Sequence, residues 1–283
     1  MDNTDRAMDT EAFRAFHKTG RTRSLRIGLV LAAVVVLGGA GVAGATAFAA
    51  TQQSGSEGAA AGAQTPLTQA DFVTSIQSGR SDATSVHYTM SMTSAGQTTD
   101  ASGDISFGAP GSIPSLSMAM SVPDIASIDA RLVDGTLYAN LGELSQGKFI
   151  ALAMDDASNP FVGSFAAIRD AADPTAVVGR LKDAILSVEP SGPAIPLDGV
   201  DATPYTLVVD SAALTGALSA ADQAAIAGQQ LTYQFWIGPD MLVRRMSFDF
   251  AGTAATMTFE RWGQPVSIEP PPADQITTAP ALS

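Results

Sequence analysis

From Ser85 onward the chain alternates. In SVHYTMSMTSAG (85–96), Val86, Tyr88, Met90 and Met92 take every second position, with serine, histidine and threonine between them. That period of two belongs to a strand with one apolar face. The same alternation recurs at Ile105 and Phe107, at Leu116, Met118 and Met120, and at Ile128, Ala130 and Leu132. Asp134-Gly135 then predicts a tight hairpin, with Leu137 and Ala139 returning. Ile150, Leu152 and Met154 predict a further strand, as do Tyr205, Leu207 and Val209. Tyr233, Phe235 and Ile237 run into the turn Gly238-Pro239-Asp240, Met246 and Phe248 return, and Met257 and Phe259 follow. The last strand is expected to end near Ile268. Half-polar strands in consecutive hairpins predict one antiparallel sheet covered on a single face.

Four stretches break the alternation with a helical period. LTQADFVTSIQSG (67–79) opens on Thr68 as a cap and buries Phe72, Val73 and Ile76. FVGSFAAIRDA sets Phe161, Phe165 and Ile168 on one side. DPTAVVGRLKDAIL has Asp173 at the cap, Pro174 in the first turn, and Val177, Leu181 and Ile185 at i, i+4 and i+8. DSAALTGALSAADQAAIAG (210–228) is an interrupted fourth. The middle two lie between one run of strands and the next, placed to form a lid over the sheet. Strand-to-strand connections are otherwise too short for helical crossovers, so the class is α+β rather than α/β.

Charge divides the chain. The formal net charge is −13, yet residues 1–26 carry six Lys/Arg against four Asp/Glu. Ile27 to Ala50 then runs uncharged for 24 residues. As a helix rising about 1.5 Å per residue it crosses a hydrocarbon core of about 30 Å. The basic leader keeps its side cytoplasmic and sends the remainder outside. A second fate fits the same residues: Ala47-Phe48-Ala49 forms an A-x-A site for cleavage of a signal peptide. Both fates export the rest. The expected organisation is a cytoplasmic leader (1–26), a transmembrane helix or signal peptide (27–50), a Gly/Ala/Ser-rich tether (51–66), one domain (67–276) and a short tail (277–283). A flexible tether of that length spans about 20–25 Å.

The chemical inventory is thin. Without cysteine there are no disulfides, thiolate metal sites or thiol nucleophiles. The exported part is strongly acidic, so nucleic acid is not an expected partner. Of the two histidines, His17 lies in the leader and His87 falls on the polar side of its strand, which leaves a hydrolase without a base. Asp100/Asp104 and Asp155/Asp156 lack the spacing of a calcium loop. GELSQGK (142–148) lacks half of a phosphate-loop motif, and GGAGVAG (38–44) lies inside the apolar run. Neither an enzymatic activity nor a cofactor is expected. Arg244 and Arg245 follow a turn, where one is placed to meet an anionic head group.

The apolar positions are unusual in kind. Met90, Met92, Met118, Met120, Met154, Met246 and Met257 keep step with the apolar face. Methionine specifies a core poorly but adapts to variable apolar guests. With small Ala130 and Ala139 on the same face, the pattern predicts a pocket between sheet and helices as the alternative to a solid core.

The order of elements resembles the LppX/LprG (LppX–LprAFG) lipoproteins of mycobacteria and their actinobacterial relatives, which share the LolA-type fold. The likeness is carried by IDARLVDGTLYANLG (128–142), TPYTLVVDSAALTGAL (203–218), YQFWIGPDMLVRRMSFDF (233–250) and ERWGQPVSIEPPPADQI (260–276). It implies a strongly curved antiparallel sheet, an incomplete β-barrel, with helices over its concave face, to which the uncharged run adds one N-terminal transmembrane helix. It also implies a cavity that holds the acyl chains of an envelope lipid or lipoglycan, for transfer or presentation. The lining would come from Tyr88, Met90, Met92, Phe107, Leu116, Met118 and Met120. From the next strands it would take Ala130, Leu132, Leu137, Ala139, Ile150 and Leu152. The helices would add Phe161, Phe165, Val177, Leu181 and Ile185, and the last strands Tyr233, Phe235, Met246, Phe248 and Met257. Implied partners are an acylated lipid or glycolipid, the cytoplasmic membrane, and a lipid exporter or acceptor protein. Those relatives are tethered through a lipidated cysteine, which this chain lacks. Its uncharged run would take over the anchoring. The competing expectation is a tethered interaction or sensor module with a filled core.

Overall fold

The computed structural model describes residues 65–94, 96–108, 113–122, 126–154, 173–213, 228–250 and 252–277. Within these, α1 (Gln69–Arg80) precedes β1 (Ser85–Ser94), β2 (Gln97–Ser106), β3 (Ser115–Val122), β4 (Ala126–Val133), β5 (Thr136–Asn140) and β6 (Phe149–Ala153). Then come α2 (Pro174–Leu181), β7 (Ile185–Pro190), β8 (Ile195–Leu197), β9 (Val200–Asp210), β10 (Gln230–Ile237), β11 (Val243–Phe250), β12 (Thr253–Glu260) and β13 (Ile276–Thr277). The strands form one open, strongly curved sheet in the order β13-β6-β5-β4-β3-β2-β1-β12-β11-β10-β9-β7, with β8 paired to β9. The α+β class holds. Every pairing is antiparallel except the short parallel contact of β13 with β6.

Alternation dictates the layers. The even positions of β1 from Val86 to Met92 are buried and the odd ones exposed, apart from Ser85 at the start and a half-buried His87. At the β4–β5 turn Asp134 and Gly135 both take positive φ, 49° and 75°. That mirror-image turn has the twist that two right-twisted strands require. Capping sets the helices. Thr68 and Asp71 close a capping box on α1, and the Asp173 carboxylate accepts from the Thr175 and Ala176 amides at the start of α2.

Three expectations need correction. Ile185 does not extend α2; the helix stops at Leu181, and Ile185 opens β7 against β9. The apolar spacing from Val177 through Leu181 to Ile185 continues across the helix end by coincidence. β7 and β8, and the start of β9 at Val200, extend the sheet beyond the strands predicted there. No strand reaches Ile268. β12 ends at Glu260, and the proline-rich segment that follows crosses the outer face as a strap. Ser85 Oγ donates to Gln264 O, Arg131 Nη1 to Glu269 O at 3.4 Å, and Lys148 Nζ to Asp274 O at 3.3 Å. The 27–50 run, the helix predicted through Phe161 and Phe165, the turn at Asp155-Asp156 and most of the 210–228 stretch lie outside the described residues. Among the described residues no helix is long and apolar enough to cross a membrane.

Candidate functional site: the inner face of the sheet

Register turns the scattered apolar residues into rows. Phe235, Met246, Met257, Met90, Ala101, Met120 and Ile128 are successive cross-strand partners from β10 to β4. Three methionines therefore stand side by side, with Met120 one alanine further along. Met92 and Met118 lie in the adjoining rows, and all six methionines are buried. Met154 falls just past β6 and is partly buried against the same cluster. In the next row Phe259, Tyr88, Gly103, Met118, Ala130, Ala139 and Ile150 are neighbours. Bulk along it runs from two large aromatics, through a residue with no side chain, to two alanines. Leu116, Leu132, Leu137 and Leu152 form the row beyond.

Tyr88 fills the gap at its partner Gly103. Its hydroxyl reaches past the glycine to donate to Ser117 O at 3.3 Å. A Cβ at position 103 would lie 1.8 Å from that same oxygen. An aromatic laid over a cross-strand glycine restores the burial that the glycine gives up.

Helix α1 closes one end. Phe72 meets Phe235 edge-on at 5.9 Å and Tyr205 at 6.1 Å, which seats α1 over β9 and β10. The Tyr205 hydroxyl accepts from the Leu67 amide at 3.2 Å, and Gln69 Nε2 donates to Ile185 O at 2.7 Å. These bonds hold the first described turn of the chain, Leu67 to Gln69, against β7 and β9. Arg80 at the far end of α1 lies 3.9 Å from the Asp173 carboxylate and stacks 3.6 Å above the Phe107 ring, which itself stacks on Trp262. Val177, Val178 and Leu181 of α2 are buried in the same cluster.

The structure thus brings together the expected lining from β1, β3–β5, β10–β12 and α2, and Phe107 just past β2, with Ile150, Leu152 and Ile185 at its margins. Phe161 and Phe165 lie outside the described residues. Phe72, Tyr205 and Phe259 belong to the site and had been overlooked as lining. The helical spacing of Phe72 with Ile76, and the alternation of Tyr205 with Leu207, were the available signals. Arg244 is buried at a bulge in β11, its Nη2 2.6 Å from Asp240 and its Nε 3.8 Å from Asp198. Its charge is met within the fold. Arg245 faces outward, 5.5 Å above the Trp236 ring. His87 also faces outward, with Nδ1 2.8 Å from Asp104. Among the described residues no cluster of ligating side chains could hold a metal ion.

Two buried tyrosines make the site sensitive to alkali. Burial, partly opposed by the nearby charge of Arg180, pushes the Tyr233 hydroxyl up to about 12. Burial, reinforced by the Asp104 carboxylate, raises Tyr88 as well. Below pH 10 both tyrosines are protonated, folded or unfolded. Above it the unfolded chain releases its protons while the folded protein retains them, so stability falls as pH rises from 10 towards 12. Urea midpoints should decline across that window, and less steeply in Tyr233→Phe. An identical decline in the variant would remove Tyr233 as a cause.

No protein-family model matches the chain, and no curated protein matches it. Solved structures do. LprF from Mycobacterium bovis is similar at 19% identity and a TM-score of 0.49, over 71% of this chain and 97% of that one. The Mycobacterium tuberculosis lipoprotein LppX is similar at 16% identity and a TM-score of 0.49, over 71% and 99%. The Pseudomonas aeruginosa MucA/MucB complex matches at 13% identity and a TM-score of 0.35, over 73% and 59%.

Proposed function

We propose that the domain shelters the acyl chains of an envelope lipid or glycolipid against the inner face of its sheet, and passes or presents them without catalysing a reaction. The observation that carries this reading is the methionine band. Six buried methionines occupy neighbouring register positions beside Ala101, Ala130 and Ala139, in one buried cluster with the apolar residues of α1 and α2. Thioether chains reshape around guests of different length and branching, and small residues leave room for them. The energetic case is direct. Each exposed methylene costs about 0.8 kcal/mol, so a 16-carbon chain in water costs on the order of 12 kcal/mol. A sheltering wall removes that barrier to movement between membrane and acceptor.

On this reading the chain is held at the cytoplasmic membrane by residues 27–50, with the domain outside on its tether. It exchanges lipid with an exporter or acceptor protein and has no dealings with nucleic acid. Protease added outside intact cells is expected to remove everything beyond about residue 51 and leave the leader in the membrane fraction. A soluble mature chain beginning at Ala50 or Thr51 would mean that the segment is cleaved instead. The cavity itself is tested by titrating delipidated protein with a fluorescent fatty-acyl probe. Saturable uptake near one probe per chain is expected; no uptake would leave a tethered module with a filled core.

A further inference from the structure

The outer face of the same sheet carries a second feature. A hollow of about 540 Å³ opens there, across five adjacent strands from β12 to β4. Seven of its lining residues are serines or threonines, four are Met90, Ala101, Ala119 and Met120, which give it an apolar floor, one is the carboxylate Asp100, and none is basic. Among the described residues, none of these hydroxyls is engaged by a side chain or by the backbone.

The solvent side of a half-covered antiparallel sheet is polar in any case, so the kind of polarity decides. Ser247, Thr256, Ser91, Asp100, Ser121 and Ser127 are consecutive cross-strand partners. The next row runs Trp236, Arg245, Thr258, Thr89, Ser102 and Ala119. One row further on, charged residues enter, in the order Glu260, His87, Asp104, Ser117 and Arg131, the Ser117 hydroxyl is taken up by the Asp104 amide, and there the strap crosses the face. The hydroxyl rows are left uncovered.

We propose that this hollow binds an uncharged glycan chain of the cell envelope. Strands about 4.8 Å apart set the hydroxyls at a step comparable to the advance of one sugar ring along a glycan. Threonine offers a methyl beside a hydroxyl, which suits the alternating C–H and O–H surface of a sugar. With one carboxylate and no cation in the hollow, on a chain of net charge −13, phosphate and other anionic polymers are disfavoured. The strand layer separates the hollow from the inner face. The glycan is therefore a strand of the surroundings rather than the head group of a sheltered lipid, and the inference rests on the proposed export of the domain but not on the lipid reading.

The test uses the full-length chain in lipid nanodiscs, passed over beads of immobilised mannan, dextran or galactan, with heparin beads as the anionic control. Retention on at least one neutral matrix and release by its free oligosaccharide are expected. Ser91→Arg combined with Ser102→Arg should weaken retention at least tenfold while acyl-probe uptake stays at the wild-type level. Thr89→Val combined with Thr258→Val, which removes two facing hydroxyls of the lining at nearly constant volume, should weaken retention without filling the hollow, and serves should the double arginine variant fold poorly. No retention on any neutral matrix, retention on heparin alone, or unchanged retention in folded variants would overturn the proposal.

Discussion

Gly103→Ala is expected to unfold the protein well below the wild-type melting temperature. The added methyl would sit 1.8 Å from Ser117 O, a backbone atom of the neighbouring strand and the acceptor of the Tyr88 hydroxyl. Neither can yield without parting β2 from β3, and Tyr88 has no second place to lie. Overpacking a core typically costs about 1–3 kcal/mol, and a clash with ladder backbone stands at or above the upper end. For a domain of this size each kcal/mol is worth about 2–4 °C, which makes the expected fall on the order of 10 °C. Differential scanning calorimetry of the two proteins decides it. A melting temperature within 2 °C of wild type, roughly half a kcal/mol, would show that β2 and β3 are spaced more widely than described. Tyr88→Phe keeps the ring over Gly103 and should cost far less, about the 1 kcal/mol of one hydrogen bond.

The second large effect separates a guest site from a solid core. Ala130 and Ala139 are direct cross-strand partners, both buried, between Met118 on one side and Ile150 on the other. In a solid core, Ala130→Trp or Ala139→Trp would lower stability by about 1–3 kcal/mol or more. In a site that holds acyl chains, the indole takes guest space. Melting of the delipidated variants should then stay near wild type, while uptake of a fluorescent acyl probe falls at least tenfold. Unfolding of both variants, together with no probe uptake by the wild-type protein, would make the methionines ordinary core.

The fold was legible where one physical rule acted alone. A sheet covered on one side leaves a period of two in its sequence, so β1, β3, β4, β5, β10, β11 and β12 could be read from alternation, and the β4–β5 turn from Asp134-Gly135. Where distant pairing decided, the sequence pattern misled. Ile185 keeps helical spacing with Leu181, yet the Asp210 amide donates to Ala184 O at 2.8 Å and draws the chain into the sheet. Val266 and Ile268 alternate like a strand, but the prolines after Glu269 remove the donors that a ladder needs. β13 is two residues long and pairs with a strand more than a hundred residues earlier, a contact with no local signature.

The inner face was legible as a set of residues but not as an arrangement. Alternation shows which side chains share a face, whereas register sets Met246, Met257 and Met90 side by side. The bulge between Trp236 and Ile237 explains why Arg244 turns into an ion pair with Asp240 while Arg245 faces solvent. Nothing in the spacing of two adjacent arginines foretells which one is buried. The hydroxyl hollow was hidden for the same reason. Its residues come from five strands and become neighbours only once the pairings are known.

The most direct measurement is organic extraction of the full-length protein, purified from the cells that make it, followed by mass spectrometry of the extract. Tryptophan variants at Ala130 and Ala139 serve as the comparison for lipids carried along in purification. The account predicts an acylated lipid or glycolipid at close to one per chain in the wild type and little of it in the variants. The same lipid profile in wild type and folded variants, or no lipid above the membrane background, would contradict it.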